Sequence, residues 1–165
     1  MQKVYIETTL FNFYFAETRG QYHGKTVGYC RDTRCFFEAV KAGRLEPYTS
    51  EYVMREIKSC RNVEYREEML KLITDFGVYI LPTDTREERL AAQYIEAGAI
   101  SAKCWDDALH IAAATVHGLD LIVSLNFGHI VKSKAIRVAN MVNETKGYGS
   151  IGIHEPGEVT GDDRT

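Results

Sequence analysis

Two neighbouring segments constrain this chain most. Ala108 to Val116 is almost entirely small or apolar, and the run Leu121-Ile122-Val123 follows shortly after Gly118. Leu109, Ala112, Ala113 and Val116 recur at helical spacing, which predicts a helix over 106–117 able to pack closely on a sheet. The unbroken apolar run within 120–124 has no polar face to offer to water. It predicts a strand covered on both sides, the environment of a parallel sheet.

The same alternation runs through the rest of the chain. Lys3-Val4-Tyr5-Ile6, 45–49, 78–81 and 150–153 read as short strands. Helices are expected over 26–41, 52–59, 62–76, 86–97 and 133–143, with Ser50 as an N-cap and Gly43, Gly77, Gly98 and Gly118 as stops. The aromatic stretch Leu10-Phe11-Asn12-Phe13-Tyr14-Phe15 reads as a turn or short helix under the sheet, serving core or dimer contacts. Pro47 removes one ladder donor and predicts an edge strand or a strand end. Strands alternating with helices imply a three-layer α/β/α architecture with a mostly parallel, roughly five-stranded sheet. One domain is expected over 1–156, with 157–165 a disordered tail and 16–25 a mobile loop.

A chain of 165 residues can enclose one sizeable core. Its formal net charge of -3 argues against binding nucleic acid through bulk phosphate attraction, though a small basic rim is compatible with it. Cys30, Cys35, Cys60 and Cys104 match no zinc spacing and are expected to be reduced, mostly buried thiols of a cytoplasmic protein. The N-terminal residues carry no secretory pattern, and no apolar segment has membrane-spanning length.

The chemistry is best read by place. Glu7 ends the first strand, Glu56 lies on the helix after the second, and Asp107 opens the helix before the fourth. In a parallel sheet the carboxyl edge collects ligands. Glu7, Asp107 and the Asn126 loop are all expected to leave or face that edge, with Glu56 leaning over it. Two carboxylates about 4 Å apart repel by about 4 kcal/mol at an effective dielectric near 20, so three of them need a cation or a proton. Hard oxygen donors suit Mg²⁺ or Mn²⁺. Each residue also has a plainer reading: Glu7 as a solvated strand-end acid, Glu56 as a surface partner of Arg55 or Lys58. Asp106 and Asp107 would simply favour a helix N-terminus.

The segments Val4-Tyr5-Ile6-Glu7-Thr8-Thr9, the helical Glu56, Asp107-Ala108-Leu109-His110-Ile111-Ala112-Ala113-Ala114 and Val123-Ser124-Leu125-Asn126-Phe127-Gly128-His129-Ile130 resemble PIN domains. The resemblance is closest to the VapC-like toxins of bacterial and archaeal toxin–antitoxin pairs, and it spans about 3–156. It implies a Mg²⁺- or Mn²⁺-dependent endoribonuclease with Glu7, Glu56 and Asp107 as metal ligands and Asn126 assisting. It also implies an RNA substrate and a small antitoxin partner, and a homodimer is expected. Glu7 stands where the family usually has Asp, and Asn126 where many members have a fourth acid. Ser124 matches a hydroxyl that often bonds the cluster.

Lys103, His129 and Lys132 are candidate RNA contacts, with Lys134 and Arg137 extending the rim. His110 reads either as a residue orienting Asp107 or, by preference, as a buried structural histidine. The alternative to a nuclease is an impaired PIN-like module that binds RNA or a protein, a reading that Asn126 and the acidic net charge favour. A small-molecule phosphatase of the aspartyl-phosphate type is opposed by the absence of an Asp-x-Asp motif after the first strand.

Overall fold

The computed structural model describes residues 1–20 and 24–161. Five strands, β1 (Gln2–Ile6), β2 (Leu45–Ser50), β3 (Tyr79–Leu81), β4 (Leu121–Val123) and β5 (Gly152–His154), form one sheet in the order β3-β2-β1-β4-β5. Every pairing is parallel. The α-helices are α1 (Thr8–Phe13), α2 (Lys25–Lys41), α3 (Glu51–Lys58), α4 (Val63–Asp75), α5 (Thr85–Glu96), α6 (Trp105–Val116), α7 (Ser133–Thr145) and α8 (Pro156–Thr160). A 3-10 turn, Ala102–Cys104, leads into α6. The architecture is the expected three-layer α/β/α one.

Local chemistry accounts for the boundaries. The Ser50 side chain accepts the N–H groups of Tyr52 and Val53 and so caps α3. Asp84 and Glu87 form a reciprocal capping box on α5. Ala108 to Thr115 are all buried, and the small side chains let α6 pack closely against α5 and α3. Val4, Tyr5, Ile6, Ile122 and Val123 are fully enclosed, as two covered faces require. Phe11 is buried, and Phe13, Tyr14 and Phe15 pack against the core, so this aromatic stretch serves the interior.

Three expectations are corrected. Pro47 sits in β2, which is internal; the β2–β3 pairing begins at Tyr48, so the missing donor falls where β2 has only β1 beside it. The stretch after Pro156 is not wholly a tail: Pro156 starts α8, which packs on α2, and 162–165 lie outside the described residues. Of the four free cysteines only Cys30 is buried; Cys60 and Cys104 are half-buried and Cys35 is exposed. Of the expected loop at 16–25, residues 21–23 lie outside the described residues. Among the described residues, no helix is long and apolar enough to cross a membrane.

The strand order sets the position of the site. From β1 the chain builds outward through β2 to β3, then returns to place β4 on the other side of β1. The order therefore reverses between β1 and β4. A crevice opens at such a switch point, outside the carboxyl ends of the strands. Glu7 follows β1 directly, and Ser124 and Asn126 follow β4.

Candidate functional site

Glu7 is the most buried of the site's acids, only 3% exposed. Its Oε2 accepts from the Thr9 N–H at 3.0 Å, the Ser124 hydroxyl at 2.9 Å and the Thr9 hydroxyl. None of these three bonds uses Oε1. Burial pushes the Glu7 carboxyl above its ordinary range, against the field of His110 and the three donors. The Ser124 hydroxyl also accepts the Asn126 N–H at 3.0 Å, so one side chain ties the first acid to the loop after β4.

Glu56 reaches this acid from α3, and His110 reaches it from α6. Donor atoms of Glu7, Glu56 and His110 all lie within 4.8 Å of one another. His110 Nε2 bonds Glu56 Oε1, while Nδ1 lies 2.7 Å from the Tyr5 hydroxyl. The Tyr5 hydroxyl in turn lies 2.7 Å from Ser50 Oγ, so a buried polar chain runs from the α3 cap to the acid pair. Burial alone would lower the His110 ring, but the Glu56 bond and the charges of Glu56, Glu7 and Asp107 raise it overall. Burial would raise Glu56, yet the His110 bond and charge hold it low. The two directions agree with a charged pair.

Asp107 faces the same crevice and is coupled to both Glu56 and His110. Its Oδ1 accepts from Asn126 Nδ2 at 3.0 Å, and its Oδ2 lies 2.8 Å from His129 Nδ1. The amide oxygen of Asn126 accepts the His129 N–H at 3.2 Å. Burial raises the Asp107 carboxyl, opposed by both histidines. Asp106, by contrast, is exposed, as expected of an acid that only favours the helix terminus.

Glu7, Glu56, Asp107, Asn126, Ser124 and His129 lie at one edge, but in two groups: donor atoms of Glu7 and Glu56 meet with His110, and those of Asp107 meet with Cys104 and His129, so the three carboxylates do not form one cluster within 4.8 Å. Glu56 is bonded to His110 rather than to Arg55 or Lys58. Lys103 and Lys132 are exposed, Lys103 on the turn before α6 and Lys132 at the start of α7. Sequence reasoning missed the Tyr5–Ser50 link and the proximity of Cys104 to Asp107 and His129.

The donors fit a hard divalent cation. Glu7 and Glu56 offer carboxylate oxygens from separate elements, and Asp107 is linked to Glu7 through Asn126 and Ser124. The buried Thr8 hydroxyl also helps hold the Glu56 carboxyl low.

No family model matches the chain, and no curated protein matches it either.

Proposed function

We propose that this chain is a Mg²⁺- or Mn²⁺-dependent endoribonuclease of PIN type. The supporting observation is the approach of Glu7 and Glu56 to within 4.8 Å, with Asp107 in the field of Glu56 and His110, at the reversal of the strand order. Glu7, Glu56 and Asp107 are the residues that would hold the cation. When bound, such an ion lowers the pKa of a coordinated water and offsets charge on a phosphodiester.

The chain's own residues supply orientation. Thr9 and Ser124 fix one oxygen of Glu7. His110 fixes Glu56, and Asn126 fixes Asp107. Asn126 is therefore a positioning residue rather than a fourth acid. The exposed Lys103, Lys132 and His129 are the candidate contacts for RNA phosphates. Water attack in line with the leaving oxygen gives a 5′-phosphate and a 3′-hydroxyl. The toxin role, with a small antitoxin as partner, and the homodimer belong to this proposal through the resemblance noted above.

A second reading has its own support. His110 already meets Glu56 with a charge, and both oxygens of Asp107 are engaged by Asn126 and His129. An impaired module that binds RNA without cutting it accounts for a site so neutralised.

The test is cleavage of single-stranded and structured RNA with Mn²⁺. Asp107→Asn should lower the rate at least about tenfold, a barrier increase of ~1.4 kcal/mol. Equal cleavage by both proteins removes Asp107 from the ligand set. Binding of RNA with no cleavage by the wild type decides for the impaired module.

A further inference from the structure

Cys104, Asp107 and His129 bring a thiol, a carboxylate and an imidazole together, each offering a donor atom within 4.8 Å of the other two. We infer that this trio is a second metal site, built for a thiophilic divalent transition metal, with zinc the best fit to its donors. It goes beyond the nuclease reading, since it uses neither Glu7 nor Glu56 and requires no RNA.

The donor chemistry separates it from the carboxylate cluster. Thiolate sulfur, imidazole nitrogen and carboxylate oxygen are all zinc ligands, whereas magnesium avoids sulfur. Zinc bonds of about 2.0–2.3 Å in a tetrahedral arrangement set neighbouring donors roughly 3.3–3.5 Å apart. Asp107 Oδ2 and His129 Nδ1 stand 2.8 Å apart, so a small opening of this pair admits an ion. Three protein donors leave a fourth position for water, as in zinc sites that stay accessible.

The surroundings hold these donors in place. Asn126 donates its amide N–H to Asp107 Oδ1 and accepts the His129 backbone N–H, which fixes the two ligands relative to each other. Asp107 Oδ2 and the His129 ring are left facing one another. Outer hydrogen bonds of this kind orient metal ligands. Cys104 carries a free thiol and makes no side-chain cap to α6, although it occupies the N-cap position. Asp107 is also assigned to the cation in the proposed nuclease, so an ion on the trio would withdraw it from that role.

The experiment uses the full chain, stripped of metal and given one equivalent of Co²⁺ without RNA. A near-ultraviolet thiolate-to-cobalt band and visible bands of a four-coordinate ion are expected, erased when Zn²⁺ displaces the cobalt. Fluorescence of Trp105, the single tryptophan of the chain, should be quenched, because it lies between Cys104 and Asp107 in sequence. Cys104→Ser should remove the thiolate band, and His129→Ala should weaken binding by about tenfold or more. Both side chains are at least partly exposed, so folding is retained, and Cys35→Ser, at an exposed thiol, should behave as wild type. Absence of the band in wild type overturns the site. So does its persistence in Cys104→Ser, its loss in Cys35→Ser, or unchanged affinity in His129→Ala. A chain that never cuts RNA yet binds Co²⁺ through Cys104 supports this site while refuting the nuclease.

Discussion

Replacing His110 by glutamine tests the charge at the centre of the site. The wild-type ring is fully buried, bonds Glu56 and Tyr5, and stands in the field of three carboxylates. Glutamine has similar bulk and can hydrogen-bond, but it carries no charge. Breaking a buried ion pair from one side costs about 3–5 kcal/mol. The Glu56 side chain is 33% exposed, so water recovers part of its solvation, and about 2–3 kcal/mol is expected. For a domain of this size that corresponds to a Tm lower by about 4–12 °C.

The assay is urea and thermal unfolding in EDTA across pH. The His110 pKa is raised on folding, so its stabilisation is complete below the unfolded value near 6.5. It is lost as pH rises through the folded value. Glu56 is held low, so its share is present above its ordinary value and lost as pH falls through the folded one. The gap between wild type and His110→Gln should therefore be widest in the mildly acidic window between these limits, and should shrink above it. Raised Glu7 and Asp107 act in the same direction as His110, favouring the folded state at lower pH. Mn²⁺ should raise the Tm of the variant more than that of wild type, because a bound cation replaces the missing charge. A variant within about 0.5 kcal/mol of wild type throughout the acidic window refutes the charged pair.

Two further substitutions probe the frame of the site. Ser124→Ala removes a donor from buried Glu7 and an acceptor from the Asn126 N–H, and urea unfolding should register a loss of about 1–3 kcal/mol. Gly118 ends α6 at φ 66°, a left-handed conformation in open space, so Gly118→Ala should cost about 1–2 kcal/mol by the same measurement without altering metal binding.

Much of the fold is legible in the residues because its signals are local. Continuous apolar runs mark Leu121–Val123 as doubly covered, and glycines close helices where a positive φ is needed, as at Gly77 and Gly118. Strand order is a long-range property, and Pro47 misleads for that reason: its missing donor marks the side of one residue, not the edge of the sheet. The start of α8 carried a signal, Pro156 at the first helical position, but a five-residue helix has little periodicity to read. Gly157 completes that packing, since a Cβ there would meet Asp32 Oδ2 at 2.7 Å.

At the site, Glu7 at a strand end and Asp107 in the first turn of α6 are legible from their places, whereas Glu56 sits in the last turn of α3, where position alone says little. The partner of Glu56 is not legible, because His110 lies 54 residues away and its neighbours on the helix are apolar. The same holds for Cys104 and His129, which meet across Asp107 only once α6 and the loop after β4 are docked.

Electron paramagnetic resonance of Mn²⁺ titrated with the protein tests the central claim most directly, since the signal of the free ion disappears on binding. Wild type should bind, and Glu7→Gln, Glu56→Gln and Asp107→Asn should each weaken binding by about tenfold or more. Three variants that bind Mn²⁺ as tightly as wild type, or a wild type that leaves the free signal intact, would contradict a cation held among these carboxylates.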